Sequence, residues 1–174
     1  MAPEASGGGG MSTIRRGWCS DGAIISECGL YRYWLGRSRD EGEGLVTFIM
    51  LNPSTADDRQ DDPTIRRCLG FAASWGKQQV VILNIFGLRS TDPGELLKVR
   101  DPIGPENDAA LAKAEGLIVC AWGNWGWLNH RGARVRSILV ATHTQRVYCL
   151  GRTKRGQPKH PLYLRADLQP MALA

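Results

Sequence analysis

Two asparagines and a histidine stand where apolar runs give way to loops: Asn52 after FIML, Asn84 closing QVVILN, and His160 inside QPKHPLYL. A carboxamide carries a donor and an acceptor side by side, which matches the edge of a nucleobase or an amide. Asn52 is followed by Pro53, which stiffens the corner, although Asn-Pro is also a common turn opener. Asn84 interrupts an apolar run, and a buried carboxamide without partners costs about 1–3 kcal/mol. His160 lies between Pro158 and Pro161, so its backbone is restrained. Its ring can donate a hydrogen bond to negative charge developing on a leaving group.

Other chemistries find less support. No pair of carboxylates accompanies these groups, which weighs against two-carboxylate glycoside hydrolysis. Asp57, Asp58, Asp61 and Asp62 follow Asn52, and one could turn inward, but such residues more often cap helices and fill solvated turns. There is no GxxxxGK[ST] loop for a nucleotide triphosphate. Neither Ser54 nor Thr55 sits in a GxSxG elbow.

The elements that must position the three side chains follow from period and punctuation. LVTFIML (45–51), QVVILNIF (79–86), GLIVCAW (116–122) and QRVYCLG (145–151) read as buried strands. Pro63 opens a helix capped by Asp61 or Asp62, Asp92 and Pro93 repeat that signature, Pro105 opens another, and a helical stretch runs near Ala133 to Ala141. AIISECGLYRYWLGRSRD suits an antiparallel hairpin at a sheet edge. The expected fold is α/β: a three-layer α/β/α sandwich with a four-stranded, mostly parallel central sheet plus an N-terminal β-hairpin. Residues 1–13 read as a flexible arm and 14–174 as one domain. Ligands of open α/β sheets bind at the carboxyl ends of the strands. Asn52, Asn84, Trp122 and His160 are therefore expected in one pocket. Trp122 reads as structural, Trp125 and Trp127 stay open between stacking and loop packing, and Arg66 and Arg67 read as a solvated helix face.

Composition narrows the class. The chain of 174 residues carries a net charge of +5, a mild hint of polyanion binding. No apolar stretch nears a membrane span and no signal peptide is visible, so a cytoplasmic location is expected. The five cysteines include no CxxC pair, which argues for reduced thiols and against a metal or iron–sulfur cluster. No cofactor is expected.

The order LNPS, VILN, CAWG and HPLYL resembles the motif order of the uracil-DNA glycosylase superfamily. RYWLGRS, MLNPSTAD, DDPTIRRC and HPLYL also resemble a group of short bacterial proteins catalogued as a domain of unknown function, over nearly the whole chain after the arm. The first resemblance implies a monofunctional DNA glycosylase that hydrolyses the N-glycosidic bond of uracil and related damaged bases during base excision repair. It implies that Asn52 holds the attacking water, Asn84 reads O4 and N3 of uracil, and His160 hydrogen-bonds O2 and stabilises the departing anion. It places Leu164, with Tyr163 beside it, as the wedge that fills the gap left by the flipped base, and Lys154, Arg155 and Lys159 on flanking phosphates. Ser54, in place of the last Gly of an Asn-Pro-Gly corner, borders the approach to the sugar on the DNA-binding side. Leu162 stands where the family has a phosphate-touching Ser. Phe71 and Phe86 are the candidates for stacking on the base, though neither falls at the family's spacing. DNA, single- or double-stranded, is the expected partner, the protein is expected to act as a monomer, and no lysine nucleophile suggests lyase activity. A non-catalytic binder of damaged nucleic acid, or a hydrolase or transferase of free nucleosides or nucleotides, are the alternatives.

Overall fold

The computed structural model describes residues 14, 15, 17–142 and 147–173. The arm at 1–13, His143 and the first residues of the expected fourth strand, 145 and 146, lie outside the described residues. The strands are β1 (Cys19–Ile25), β2 (Arg32–Ser38), β3 (Leu45–Met50), β4 (Gln79–Asn84), β5 (Leu117–Cys120), β6 (Tyr148–Cys149) and β7 (Met171–Ala172). The helices are α1 (Pro63–Ser74), α2 (Asn107–Ala112) and α3 (Arg131–Thr142), with 3-10 turns at Pro93–Leu97 and Asn124–His130.

All seven strands join one sheet in the order β1-β2-β4-β3-β5-β6-β7. Parallel ladders link β4 to β3, β3 to β5 and β5 to β6. The hairpin β1–β2 adds to β4 in antiparallel fashion, and β7 closes the other edge antiparallel to β6. The α/β class therefore stands, but the sheet is seven-stranded and mixed rather than four-stranded and mostly parallel. The hairpin is continuous with it through β2, and the C-terminal MA pair was too short to carry a pattern.

Each face of the sheet carries its own core. Ile65, Cys68, Leu69, Phe71 and Ala72 of α1 pack on Val46, Phe48, Val80 and Ile82. Leu111 of α2 and Val135 and Leu139 of α3 pack on Ile49, Leu83, Ile118 and Cys120. Neighbouring residues of β3 point to opposite faces, so a nearly continuous apolar run was needed to supply both. Helix α1 starts as its residues demand: the Asp62 carboxylate accepts from the Ile65 N–H at 2.8 Å, and Pro63 occupies the first turn, where no N–H is required.

Two arginines of β2 hold the loop that follows β3. Arg37 is fully buried and pairs with buried Asp61 at 3.0 Å, while also donating to the main-chain oxygens of Asp57 and Gln60. Asp61 takes a second bond from the Arg15 backbone N–H. Among the described residues no helix is long and apolar enough to cross a membrane. All five cysteines are free thiols, with Cys68, Cys120 and Cys149 buried.

Candidate functional site

A cleft of about 580 Å³ opens at the carboxyl ends of the parallel strands. Leu51, Asn52 and Ser54 reach it from the end of β3, Asn84 from the end of β4, and Trp122 and Trp125 from the segment after β5. His160 and Leu162 reach it from the loop after β6, and Asp62 to Ile65 bring in the start of α1. The four residues expected to converge, Asn52, Asn84, Trp122 and His160, all line it.

Asn52 is oriented by its own partners. Its Nδ2 donates to the main-chain oxygens of Ser90 at 2.9 Å, Pro53 at 3.2 Å and Leu88 at 3.4 Å. Three carbonyls around one terminal atom identify it as the nitrogen, because an oxygen there would be repelled. The Ser90 N–H closes the same junction by donating to the Pro53 oxygen at 2.8 Å. The loops after β3 and β4 are thereby tied together. With Nδ2 committed, Oδ1 is the group Asn52 can offer to a ligand, as a fixed acceptor.

Asn84 is 2% exposed and is held by the backbone around it. Asn107 of α2 donates Nδ2 to the carbonyls of Asn84 at 3.0 Å and Ile85 at 3.1 Å. Arg131, at the start of α3, donates Nε to the Ile85 oxygen at 2.6 Å and pairs with Asp108 at 2.6 Å. The Asn84 Oδ1 accepts from Arg32 Nη2 at 3.4 Å. Its Nδ2 has no protein partner among the described residues and remains as a donor.

Arg32 also lines the cleft, although it is only 2% exposed. Nη1 donates to the Ala56 oxygen at 2.6 Å, and Nε has no hydrogen-bond partner. Burial pushes its pKa down to about 10, an effect that Asp62 partly offsets, so the guanidinium stays charged at neutral pH.

His160 sits in a braced loop. Its Nδ1 accepts from the Leu162 backbone N–H at 3.3 Å, which assigns the neutral ring's hydrogen to Nε2. Burial holds its pKa below the usual histidine value, with Asp62 acting the other way. Arg67 of α1 donates to the main-chain oxygens of Pro161, at 3.4 Å, and Leu164. Arg67 is thus a staple for the His-Pro loop and not a solvated side chain. From the other side the Gly123 N–H donates to the Pro158 oxygen at 2.8 Å, and Trp122 Nε1 donates to Gln157 at 2.9 Å. Gly123 adopts φ 73°, a left-handed conformation that disfavours any side chain. A Cβ on Gly126 would lie 2.2 Å from Trp122 Nε1, so the Trp-Gly segment packs as it does only with glycine there.

Other expected site residues fall elsewhere. Phe71 is 1% exposed and stacks on Trp75 on the α1 face, while Phe86 is fully buried on the opposite face. Neither lines the cleft; strong burial drew both into the cores. Trp125 is the half-buried aromatic that does line it. Trp127 is 54% exposed and outside the cleft lining. Leu164 packs against the α1-side core, so its side chain is already occupied, whereas adjacent Tyr163 is 94% exposed. Lys154, Arg155 and Lys159 are exposed and have no ion-pair partner among the described residues. Lys154 and Arg155 lie within the tight turn closed by Thr153 and Gln157, and Lys159 lies just after it. Of the four aspartates, Asp57 caps a turn through the N–H groups of Arg59 and Gln60, Asp58 is exposed beside exposed Arg59, and Asp61 pairs with Arg37. Asp62 alone lines the cleft, with one oxygen engaged in the α1 cap.

Arg32, Asn107 and Arg131 were not among the residues expected at the site. A charged residue at the start of an apolar strand, YRYWL, was the available signal for Arg32. Among the described residues no group of three or more His, Cys, Asp or Glu is placed to hold a metal ion.

The chain belongs to the family described as Protein of unknown function (DUF1643), which matches it over residues 32–162. That span runs from the first cleft residue, Arg32, to the last, Leu162. No curated protein and no solved structure matches the chain.

Proposed function

We propose that this protein is a monofunctional DNA glycosylase that removes uracil or a related damaged base by hydrolysis. The observation that carries the reading is the pairing of a fixed acceptor with a fixed donor across one cleft: Asn52 Oδ1, set by three carbonyl partners of Nδ2, and neutral His160, whose ring hydrogen is set on Nε2. The motif order LNPS, VILN, CAWG, HPLYL, similar to that of the uracil-DNA glycosylase superfamily, also supports it.

In this reading a base leaves the stack at a cost of a few kcal/mol and enters the cleft. Trp125 offers it a face, Asn84 Nδ2 donates to an exocyclic oxygen, and His160 Nε2–H donates to a second. The C1′–N bond breaks with its electron pair going to the base, in a transition state of oxocarbenium character. Water held by Asn52 Oδ1 adds to C1′, and its proton ends on the released base. A weak water-orienting group suffices where the leaving group is well stabilised. Tyr163, exposed on the turn next to the cleft residue Leu162, fills the vacated position in the duplex. Lys154, Arg155 and Lys159 contact phosphates.

The test is release of free base from oligonucleotides that each carry one deoxyuridine, 5-substituted deoxyuridine, deoxyxanthosine or deoxyinosine. Strand cleavage should require alkali. Cleavage by pure protein without alkali contradicts the monofunctional assignment, and intact substrates throughout contradict the glycosylase reading.

A further inference from the structure

Arg32 is a buried cation at the cleft with no carboxylate in ion-pair contact among the described residues. Three other arginines of the fold show the contrast: Arg37 pairs with Asp61, Arg131 with Asp108, and exposed Arg165 with Asp167. Arg32 instead spends its hydrogen bonds on the neutral Ala56 carbonyl and the Asn84 carboxamide, and leaves Nε without a partner. An isolated buried charge is expensive, and proteins retain one where something else supplies the counter-charge. Asp62 is the carboxylate of the cleft lining, and one of its oxygens is committed to Ile65. The start of α1, a helix of 12 residues, also borders the cleft at Pro63, Thr64 and Ile65.

We infer that the cleft takes a planar anion, or a planar group that becomes anionic, and that Arg32 is the fixed charge that receives it. The inference rests on the glycosylase reading for the identity of that group: the departing base, which carries the electron pair of the broken C1′–N bond. His160 is neutral in the resting cleft and contributes a hydrogen bond without charge, so the full positive charge facing the leaving base comes from Arg32. The bonds to Ala56 and Asn84 keep the guanidinium where it is, so no reorganisation is needed as charge develops. The same contact to Asn84 couples the charge to the residue that reads the base.

The probe is 5-nitrouracil, a pyrimidine that is a monoanion at neutral pH, compared with uncharged uracil. Calorimetric titrations use the wild-type protein, Arg32→Gln and Arg32→Lys, with melting curves showing that each variant is folded. A hydrogen bond between two charged partners is stronger than one in which only the guanidinium is charged, so the wild type should prefer the anion by about 10-fold or more. Arg32→Gln should lose that preference and Arg32→Lys should keep part of it. Equal affinity for the two pyrimidines in the wild type overturns the inference, as does a preference that survives Arg32→Gln. Base release, measured in parallel on a deoxyuridine oligonucleotide, judges the glycosylase reading separately. An Arg32-dependent anion preference without release keeps the anion site and discards that reading. Release without the preference does the reverse.

Discussion

The side-chain Nδ2 of Asn52 lies 2.9 Å from the main-chain oxygen of Ser90, a contact across 38 positions of the chain. It joins the corner after β3 to the loop after β4. With the Pro53 and Leu88 oxygens close by, it fixes which end of the carboxamide meets a ligand.

Asn52→Asp replaces that donor with a carboxylate facing three carbonyl oxygens. It should destabilise the fold by about 1–3 kcal/mol, the usual penalty for unmet buried polar groups. Asn52→Ala, which removes the carboxamide without adding repulsion, should cost less. Urea denaturation of the three proteins decides this, and an aspartate variant as stable as wild type would refute the assigned amide orientation.

The Arg37–Asp61 pair is buried on both sides and organises the loop that carries Ala56 and Asp62. Asp61→Ala leaves a buried guanidinium uncompensated and should cost about 3–5 kcal/mol. Replacing Asp58, exposed beside exposed Arg59, should change stability by less than about 1 kcal/mol.

His160 gives a pH signature. Its folded pKa lies below the ordinary value of 6.5 because burial disfavours the imidazolium. The unfolded ring therefore takes up a proton that the folded ring resists. The group's contribution to stability is complete above pH 6.5 and declines as pH falls below it, until the folded pKa is reached. Wild type should lose more stability than His160→Gln between pH 7.5 and pH 5.5, read from melting temperatures. Parallel losses in both proteins would show that another group carries the effect.

The aromatics divide by role. Trp125→Ala should weaken binding of a flipped base by about 1–3 kcal/mol with a small effect on melting. Phe86→Ala, at a fully buried position, should cost about 3–5 kcal/mol of stability. Tyr163→Ala should leave the melting temperature unchanged, since the side chain is 94% exposed. It should slow base release from duplexes more than from single strands, where no gap needs filling.

What could be read from the residues follows a physical boundary. Asn52 and Asn84 were legible because each ends or interrupts an apolar run, and His160 because it stands between two prolines in the loop after the last parallel strand; strand order then brings these places to one cleft. Asp62 and Pro63 announced α1 through cap chemistry alone. The edges of the sheet were less visible, because two-residue strands such as Met171–Ala172 have no period to detect. Phe71 and Phe86 look like any other aromatic next to a site, and only packing shows that they face away from it. The choice between Leu164 and Tyr163 likewise depends on which side chain the α1-side core claims. The signal at Arg32, a charge at the start of an apolar strand, did not disclose its role for a different reason. Arg32 and Arg37 share one strand, and nothing in RYWLGRS tells which of them finds a carboxylate.

The decisive measurement is single-turnover release of uracil from a deoxyuridine oligonucleotide by wild type, Asn52→Ala and His160→Ala. Release by wild type and a loss of about 10²-fold or more in each variant are expected. Wild-type release that both variants retain would contradict the roles given to these side chains, and no release by wild type would contradict the activity itself.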